Sequence, residues 1–319
     1  MTPSADGAVL VAGSANLDFV VRAPHVPAPG ETVLGRALSL HPGGKGANQA
    51  VACARAGGAR TRMLVALGND AFAGTLEGSL DSAGVELDIV RVADQATGTA
   101  FICVADDAEN AITVAAGANE ALRPEDLPDL GRVSHLLLQL ETPIETVEAY
   151  AHAARAAGVT VVLNAAPARE LPSSLLSSVD VLIVNEHELA TLSGRRGRVA
   201  ETLTRLDVPC VIVTLGARGC CARDRGRLVL QSAFRVDAVD TTGAGDTFCG
   251  ALVASLCRRA ALPTALRYAS AAAALSSTRL GAQSSIPERR EVEAFLTERF
   301  PAADEQAKLG QLAAYCGIE

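Results

Sequence analysis

Short apolar runs at residues 9–12, 63–67, 136–140, 159–163, 181–184 and 208–214 set the strongest limit on how this chain folds. A strand that is apolar at nearly every position has to be covered on both faces. Between the runs lie longer segments of helical periodicity at 47–56, 143–157, 199–206, 246–259 and 263–277. Gly57-Gly58 and Gly158 stand where C-capping glycines would close two of them. Strands separated by helical crossovers predict an α/β fold, a doubly wound and mostly parallel sheet sandwiched by helices. A chain of 319 residues, 49% hydrophobic, can fill one such core and carry a small appendage.

Two stretches break the rhythm. Residues 99–104 and 111–114 read as strands joined by the polar turn 106–110, a hairpin signal. Residues 18–22 and 32–40, separated by a proline-rich loop, read as extended too. We expect these four to form a small β-sheet lid protruding from the core; edge hairpins on the main sheet are the alternative. The division is then core at 1–15, 42–96 and 116–300, lid at 16–41 and 97–115, and an extension at 301–319 of unknown role. The spacing of Leu309, Leu312 and Tyr315 suits a short amphipathic helix there, against the alternative of a frayed tail. One lid face would serve a ligand. The other, assigned here to Ala100, Ile102 and Val104 against Ile112 and Val114, would need cover from a second copy, giving a homodimer.

A net charge of −8 argues against nucleic-acid or anionic-membrane partners. No run approaches the ~20 apolar residues of a membrane span. The cluster Arg195-Arg196-Gly197-Arg198 reads as a solvated loop. The eight cysteines, Cys220-Cys221 among them, have no CxxC spacing, and the start does not read as a signal peptide. They are expected to be reduced thiols in the cytoplasm. The five histidines show no metal-ligand spacing.

Polar residues follow the apolar runs at their C-terminal ends: Asn16 and Asp18, Glu141, Asn164, Asn185 and Glu188, and Thr214 with Gly216. Each alone is an ordinary turn or cap residue. Together at one sheet edge they predict a single ligand cleft. Asp240-Thr-Thr-Gly-Ala-Gly-Asp246 opens a helical segment whose Phe248, Leu252 and Leu256 mark a buried face. Its Gly243-Ala244-Gly245 turn offers unpaired backbone N–H groups to an anion, and the helix N-terminus favours an ionised Asp246 able to accept a proton. The alternative is a simple capping Asp. Gly43-Gly44-Lys45-Gly46-Ala47-Asn48 is a second glycine turn, but not a P-loop, because Gly46 follows the lysine and Ser39 stands at the upstream glycine position.

Read in order, Gly13-Ser-Ala-Asn16-Leu-Asp18, Gly43 to Asn48, Gln139-Leu-Glu141-Thr-Pro143, Asn185-Glu-His-Glu188, Thr214-Leu-Gly216-Ala-Arg-Gly219, Asp240 to Asp246 and Arg279-Leu-Gly281-Ala-Gln-Ser-Ser285 resemble the ribokinase family of sugar kinases. The resemblance implies ATP-dependent phosphorylation of a sugar. Asp246 would be the base, with the N–H groups of Ala244, Gly245 and Asp246 as an anion hole. Asn16, Asp18, Gly43, Gly44, Lys45, Asn48 and Glu141 would hold the sugar. Asn185 and Glu188 would organise Mg²⁺ and phosphates, while Thr214, Gly216, Gly219, Gly243 and Ser270 would complete the nucleotide site. Asp240, Thr242, Ser276, Arg279, Gly281 and Ser285 fall where the family holds a monovalent cation, expected to be K⁺. Lys45 after two glycines points to D-ribose, phosphorylated at the 5-hydroxyl. A kinase for deoxyribose, another pentose or a nucleoside is the alternative, and a silent sugar sensor a third. This chain departs from the family in Gly243, in Asn164-Ala-Ala-Pro167, in Ser270 beside the expected adenine, and in a tail past the usual end.

Overall fold

Alternate residues of a buried strand point to opposite faces of its sheet, so a doubly covered sheet needs two separate apolar layers. In the computed structural model β1 (Ala8–Ala12) sends Val9 and Val11 into one buried cluster and Leu10 and Ala12 into another. Residues 7–107, 109–195, 197–298 and 305–318 are described. Ala108 of the expected turn, Arg196 of the arginine cluster and residues 301–304 of the extension lie outside the described residues.

After β1 the chain leaves the core through β2 (Asn16–Arg22) and β3 (Ala37–Gly43), then enters α1 (Lys45–Ala54), β4 (Thr61–Gly68), α2 (Ala71–Ser82) and β5 (Val85–Val92). β6 (Gly98–Val104) and β7 (Asn110–Ala115) form the hairpin. The crossover series follows: β8 (Val133–Leu138), α3 (Ile144–Ala156), β9 (Thr160–Asn164), α4 (Ser173–Ser177) and β10 (Val181–Asn185). Next come α5 (Glu186–Ser193), α6 (Val199–Leu203), β11 (Cys210–Thr214), β12 (Gly219–Asp224) and β13 (Arg227–Ser232). The described residues end in α7 (Ala244–Cys257), α8 (Leu262–Ser276), α9 (Arg289–Glu298) and α10 (Glu305–Cys316).

The main sheet runs β13-β12-β11-β10-β9-β8-β1-β4-β5, parallel except that β12 pairs antiparallel with both its neighbours. Helices α1, α2, α7, α8 and α9 pack on one face; α3, α5, α6 and α10 pack on the other. The chain leaves β1 toward α1 on the first face and leaves the adjacent β8 toward α3 on the second. A crevice therefore opens between the carboxyl ends of β1 and β8.

Every apolar run became a strand of this sheet. Strands β5, β12 and β13 lay outside those runs, because strands at or near an edge do not need to be apolar at every position. The start of the second lid strand is corrected: β3 begins at Ala37 rather than residue 32 and continues to Gly43. α7 is buried from Thr247 to Ser255 rather than along one stripe, since it is wedged between α1 and α8. Gly250 makes that wedge possible. A Cβ there would lie 2.5 Å from the Gln49 carbonyl oxygen and 2.8 Å from the Cys53 nitrogen.

The second sheet has the order β3-β2-β6-β7. Its register places Asp18 beside Ala100 and Val114, and Val20 beside Ile102 and Ile112. Cross-strand partners share a face, so Ala100, Ile102, Val104, Ile112 and Val114 lie on the face of Asp18, not opposite it as expected. The opposite face carries Phe19, stacked on Phe101 at 5.2 Å, together with Leu38 and Leu40. Leu38, Phe101 and Leu40 are 60%, 53% and 47% exposed.

Candidate active site

Gly243, in the left-handed region at φ 73°, turns the chain into α7 and sets Asp246 in its first turn. The close crossing of α1 and α7 then brings two amides onto that carboxylate. Asn48 Nδ2 donates to Asp246 Oδ2 at 2.9 Å, and Gln49 Nε2 donates to Oδ1 at 2.9 Å. Gln49 is itself fixed: its Nε2 also donates to Asn164 Oδ1 at 2.9 Å, and its Oε1 accepts from Gln139 Nε2 at 2.7 Å. A chain of amides from β8 and β9 thus orients Asp246 through α1. Asn48 Oδ1 is buried and has no hydrogen-bond donor among the described residues. A buried acceptor without a donor is costly, and a hydroxyl would satisfy it.

The crevice between β1 and β8 is bridged by Ser14 Oγ, which donates to Glu141 Oε2 at 2.6 Å. The same oxygen accepts from Lys45 N, the first N–H of α1, at 3.0 Å, as a carboxylate at a helix N-terminus should. Gly43 and Gly44 are required by crowding. A Cβ on Gly43 would lie 2.1 Å from Asp18 Oδ2, and one on Gly44, whose φ is +86°, 2.7 Å from Asn16 N. Asn16 Oδ1 accepts from Asn119 Nδ2 at 2.8 Å, while Asn119 Oδ1 accepts from Ala15 N. Asn16, Asp18, Gly43, Gly44, Lys45, Asn48 and Glu141 therefore share one cleft with Asp246. Burial, with Glu141 and Asp246 nearby, pushes Asp18 up to about 7. Burial opposes the charge on Lys45, but Asp246, Glu141 and Glu188 outweigh it and hold the ammonium above its ordinary value.

Asn185 and Glu188 form a reciprocal capping box at the start of α5. Glu188 N donates to Asn185 Oδ1 at 2.9 Å, and the Glu188 carboxylate accepts from Asn185 N at 2.7 Å and Nδ2 at 2.9 Å. Burial raises the Glu188 carboxyl despite these bonds and Lys45. On the far side of α7 lies a cavity of about 770 Å³. Thr214, Gly216, Gly219, Ala244, Gly245 and Ser270 line it; Asn185, Glu188 and Gly243 do not. Nothing stands within 4 Å of where a Gly245 Cβ would be, so the first turn of α7 is open.

Asp240 ties the turn before α7 to the segment after α8. Its Oδ1 accepts from Thr242 N and its Oδ2 from Gly281 N, each at 2.9 Å. Burial would raise Asp240, but the bonds from Thr242 and Gly281 prevail and lower it. Ser276 and Ser285 donate to the carbonyls of Ala273 and Ala282. The Arg279 side chain turns away to an ion pair with Glu291 at 2.5 Å, leaving its carbonyl as the group it can offer.

Sequence reasoning missed Ser14, Gln49 and Asn119. Ser14 and Gln49 lay inside or beside the quoted motifs, and their types signalled hydrogen bonding. Asn119 meets Asn16 across 103 positions of chain, and nothing local announces it.

The elevated Asp18 carboxyl has a consequence for stability. Below about pH 4 it is protonated in the folded and unfolded chains and costs nothing. As pH rises toward 7 the unfolded chain releases the proton first, so stability drains away, and above 7 the loss is complete. Asp18→Asn should raise Tm by several degrees near pH 8 and hardly at all near pH 4. A change of equal size at both pH values would show that the carboxyl is not strained.

The family model for pfkB family carbohydrate kinases matches residues 7–289. A ribokinase of Haemophilus influenzae is 39% identical over 298 residues, covering 90% of this chain and 97% of that protein. One of Bacillus subtilis is 37% identical, over 91% and 99%. The crystal structure of a Thermotoga maritima ribokinase superposes with a TM-score of 0.85 at 38% identity, over 91% of this chain and 99% of its own. Arabidopsis thaliana ribokinase complexed with ribose and ATP gives 0.84 at 33% identity, over 91% and 98%. With its own two sheets, glycine turns and carboxylate cleft in place, this chain belongs to the pfkB family of carbohydrate kinases.

Proposed function

We propose that this sugar kinase transfers the γ-phosphoryl group of ATP to the 5-hydroxyl of D-ribose. The observation that carries the reading is Asp246, held by two amides in the polar cleft, next to Ala244 and Gly245, which line a cavity of about 770 Å³. The ribokinases of H. influenzae and B. subtilis, and the Arabidopsis structure with ribose and ATP, support the choice of substrates.

Asp246 takes the proton of the 5-hydroxyl as its oxygen bonds the γ-phosphorus. The bond from that phosphorus to the bridging oxygen breaks, and ADP leaves with the electron pair. Asn48 and Gln49 aim the carboxylate, and Asn48 Oδ1 accepts a sugar hydroxyl. The N–H groups of Ala244, Gly245 and Asp246 stabilise charge on the transferring oxygens, which is most of what phosphoryl transfer needs. Lys45, charged among three carboxylates, offsets that charge from the sugar side. Asn16, Asp18 and Glu141 supply acceptors for the remaining hydroxyls.

The buried Glu188 carboxylate with Asn185 suits Mg²⁺, which would neutralise phosphate charge when bound. The oxygen donors around Asp240 suit a monovalent cation, which we take to be K⁺; ordered there, it would fix the turn that leads into α7. We read residues 16–41 and 97–115 as a lid over the sugar and 1–15, 42–96 and 116–300 as the core. The lid's outer face, with exposed Leu38, Leu40 and Phe101, would be covered by a second copy. The free thiols, most of them buried, fit a reducing cytoplasm. No helix among the described residues is long and apolar enough to cross a membrane.

A second reading has support of its own: a deoxyribokinase of Salmonella typhi is 35% identical over 302 residues. ADP release with a panel of pentoses separates the two. Ribose should be preferred over 2-deoxyribose by about 5- to 150-fold in kcat/KM, the cost of one unpaired buried partner. Rates should be higher in K⁺ than in a tetraalkylammonium salt, and light scattering should give twice the 32.7 kDa chain mass. A kcat/KM for deoxyribose equal to that for ribose would promote the second reading.

A further inference from the structure

Helix α10 lies beyond residue 289, where the match to the family model ends. It is no frayed tail. Leu312 and Cys316 are 3% and 0% exposed, sunk in the core layer that also holds Cys221. Its polar residues are tied to three different elements. Glu305 pairs with Arg267 of α8 at 2.7 Å. The Arg218 guanidinium, in the turn after β11, stacks over the Tyr315 ring at 4.2 Å. The Tyr315 hydroxyl donates to Glu186 Oε1 at 2.5 Å, in the first turn of α5 and next to Asn185. Of these, α8 and the turn after β11 line the cavity read above as the nucleotide's, and α5 does not. Lys308, Gln311 and Tyr315, spaced to share one helical face, line that cavity together with Ser270 and Gly245.

We propose that α10 is part of the nucleotide site of this chain. Its face closes the cavity over the nucleoside end of ATP. There Gln311 presents an amide donor and acceptor to the base or ribose, and Tyr315 clamps the Arg218 turn against α5. The choice of ligand class rests on the reading that the cavity holds ATP. Several observations favour it: the cavity runs from the open first turn of α7, suited to phosphates, to a wall of apolar side chains (Phe234, Val236 and Ala274) suited to a base. An added helix with only a packing role would have no need of polar side chains facing that space. It would also have no need of a phenol bonded beside the Asn185–Glu188 cap.

Gln311→Ala and Tyr315→Ala test this, with wild type alongside. Gln311 is exposed, so its replacement leaves the core untouched. The measurements are ADP affinity by calorimetry, KM for ATP, KM for ribose, kcat and Tm. Each variant should weaken ADP and raise KM for ATP by about three- to tenfold, the value of one hydrogen bond or stacking contact. KM for ribose should stay within twofold, and Tm of the Gln311 variant should match wild type. A wild type that turns over ATP and ribose, with both variants within twofold of it in ADP affinity and in KM for ATP, would overturn the proposal alone. A wild type that neither binds ADP nor phosphorylates ribose would overturn the reading of the cavity, and the proposal with it. Equal rises in KM for ATP and for ribose would reduce α10 to general support and also overturn it.

Discussion

The crossing of α1 over α7 is the constraint on which the site depends. Gly250 lets the two helices approach closely enough for the second turn of one to meet the first turn of the other. Asn48 and Gln49 can then both reach Asp246. The carboxylate is shielded on one side by helix and left open on the other, toward the cleft. Any side chain at position 250 would force the helices apart and loosen the hold on Asp246. The amides of Gln139, just past β8, and Asn164, at the end of β9, extend the same control to the sheet edge, so Asp246 is oriented from strands that do not carry it.

Around that contact the fold assembles groups from distant parts of the chain. The switch of helix direction between β1 and β8 opens the crevice that Ser14 and Glu141 bridge. The small sheet returns Asp18 over Gly43, and the crowding there shows why a glycine is needed. Burial lifts the Asp18 carboxyl, and its neighbours Glu141 and Asp246 lift it further, a strain the folded protein carries at neutral pH. Lys45 sits charged beside Glu141 and Asp246 and offsets part of their charge.

Much of this was legible in the sequence, and physics explains where it was not. Apolar runs identified the strands buried on both faces, but β5 reads Val-Glu-Leu-Asp-Ile-Val-Arg-Val, an edge pattern that such runs do not select. The glycine turns and the carboxylates after strands pointed to one cleft, and the structure brings Asp18, Gly43, Lys45, Asn48 and Glu141 together near Asp246. The face of the lid was misassigned because a shift of one residue in register exchanges faces, and register is set by pairing rather than by composition. Gln49 and Asn119 were missed since their meaning lies in partners far along the chain. The role of α10 was open for the same reason: Leu309, Leu312 and Tyr315 suggested a helix, but nothing local told what it would cover.

Replacing Asp246 by Asn tests the central claim most directly. The change keeps the size of the side chain but removes its capacity to take a proton. It also sets an amide donor against the donors of Asn48 and Gln49, and Gln49 is held by Gln139 and Asn164 with little freedom to turn. The account predicts a fall in kcat for ribose on the order of 10²–10⁴, with KM for ATP within a few-fold of wild type. Turnover within a factor of a few of wild type would contradict it and place the base elsewhere.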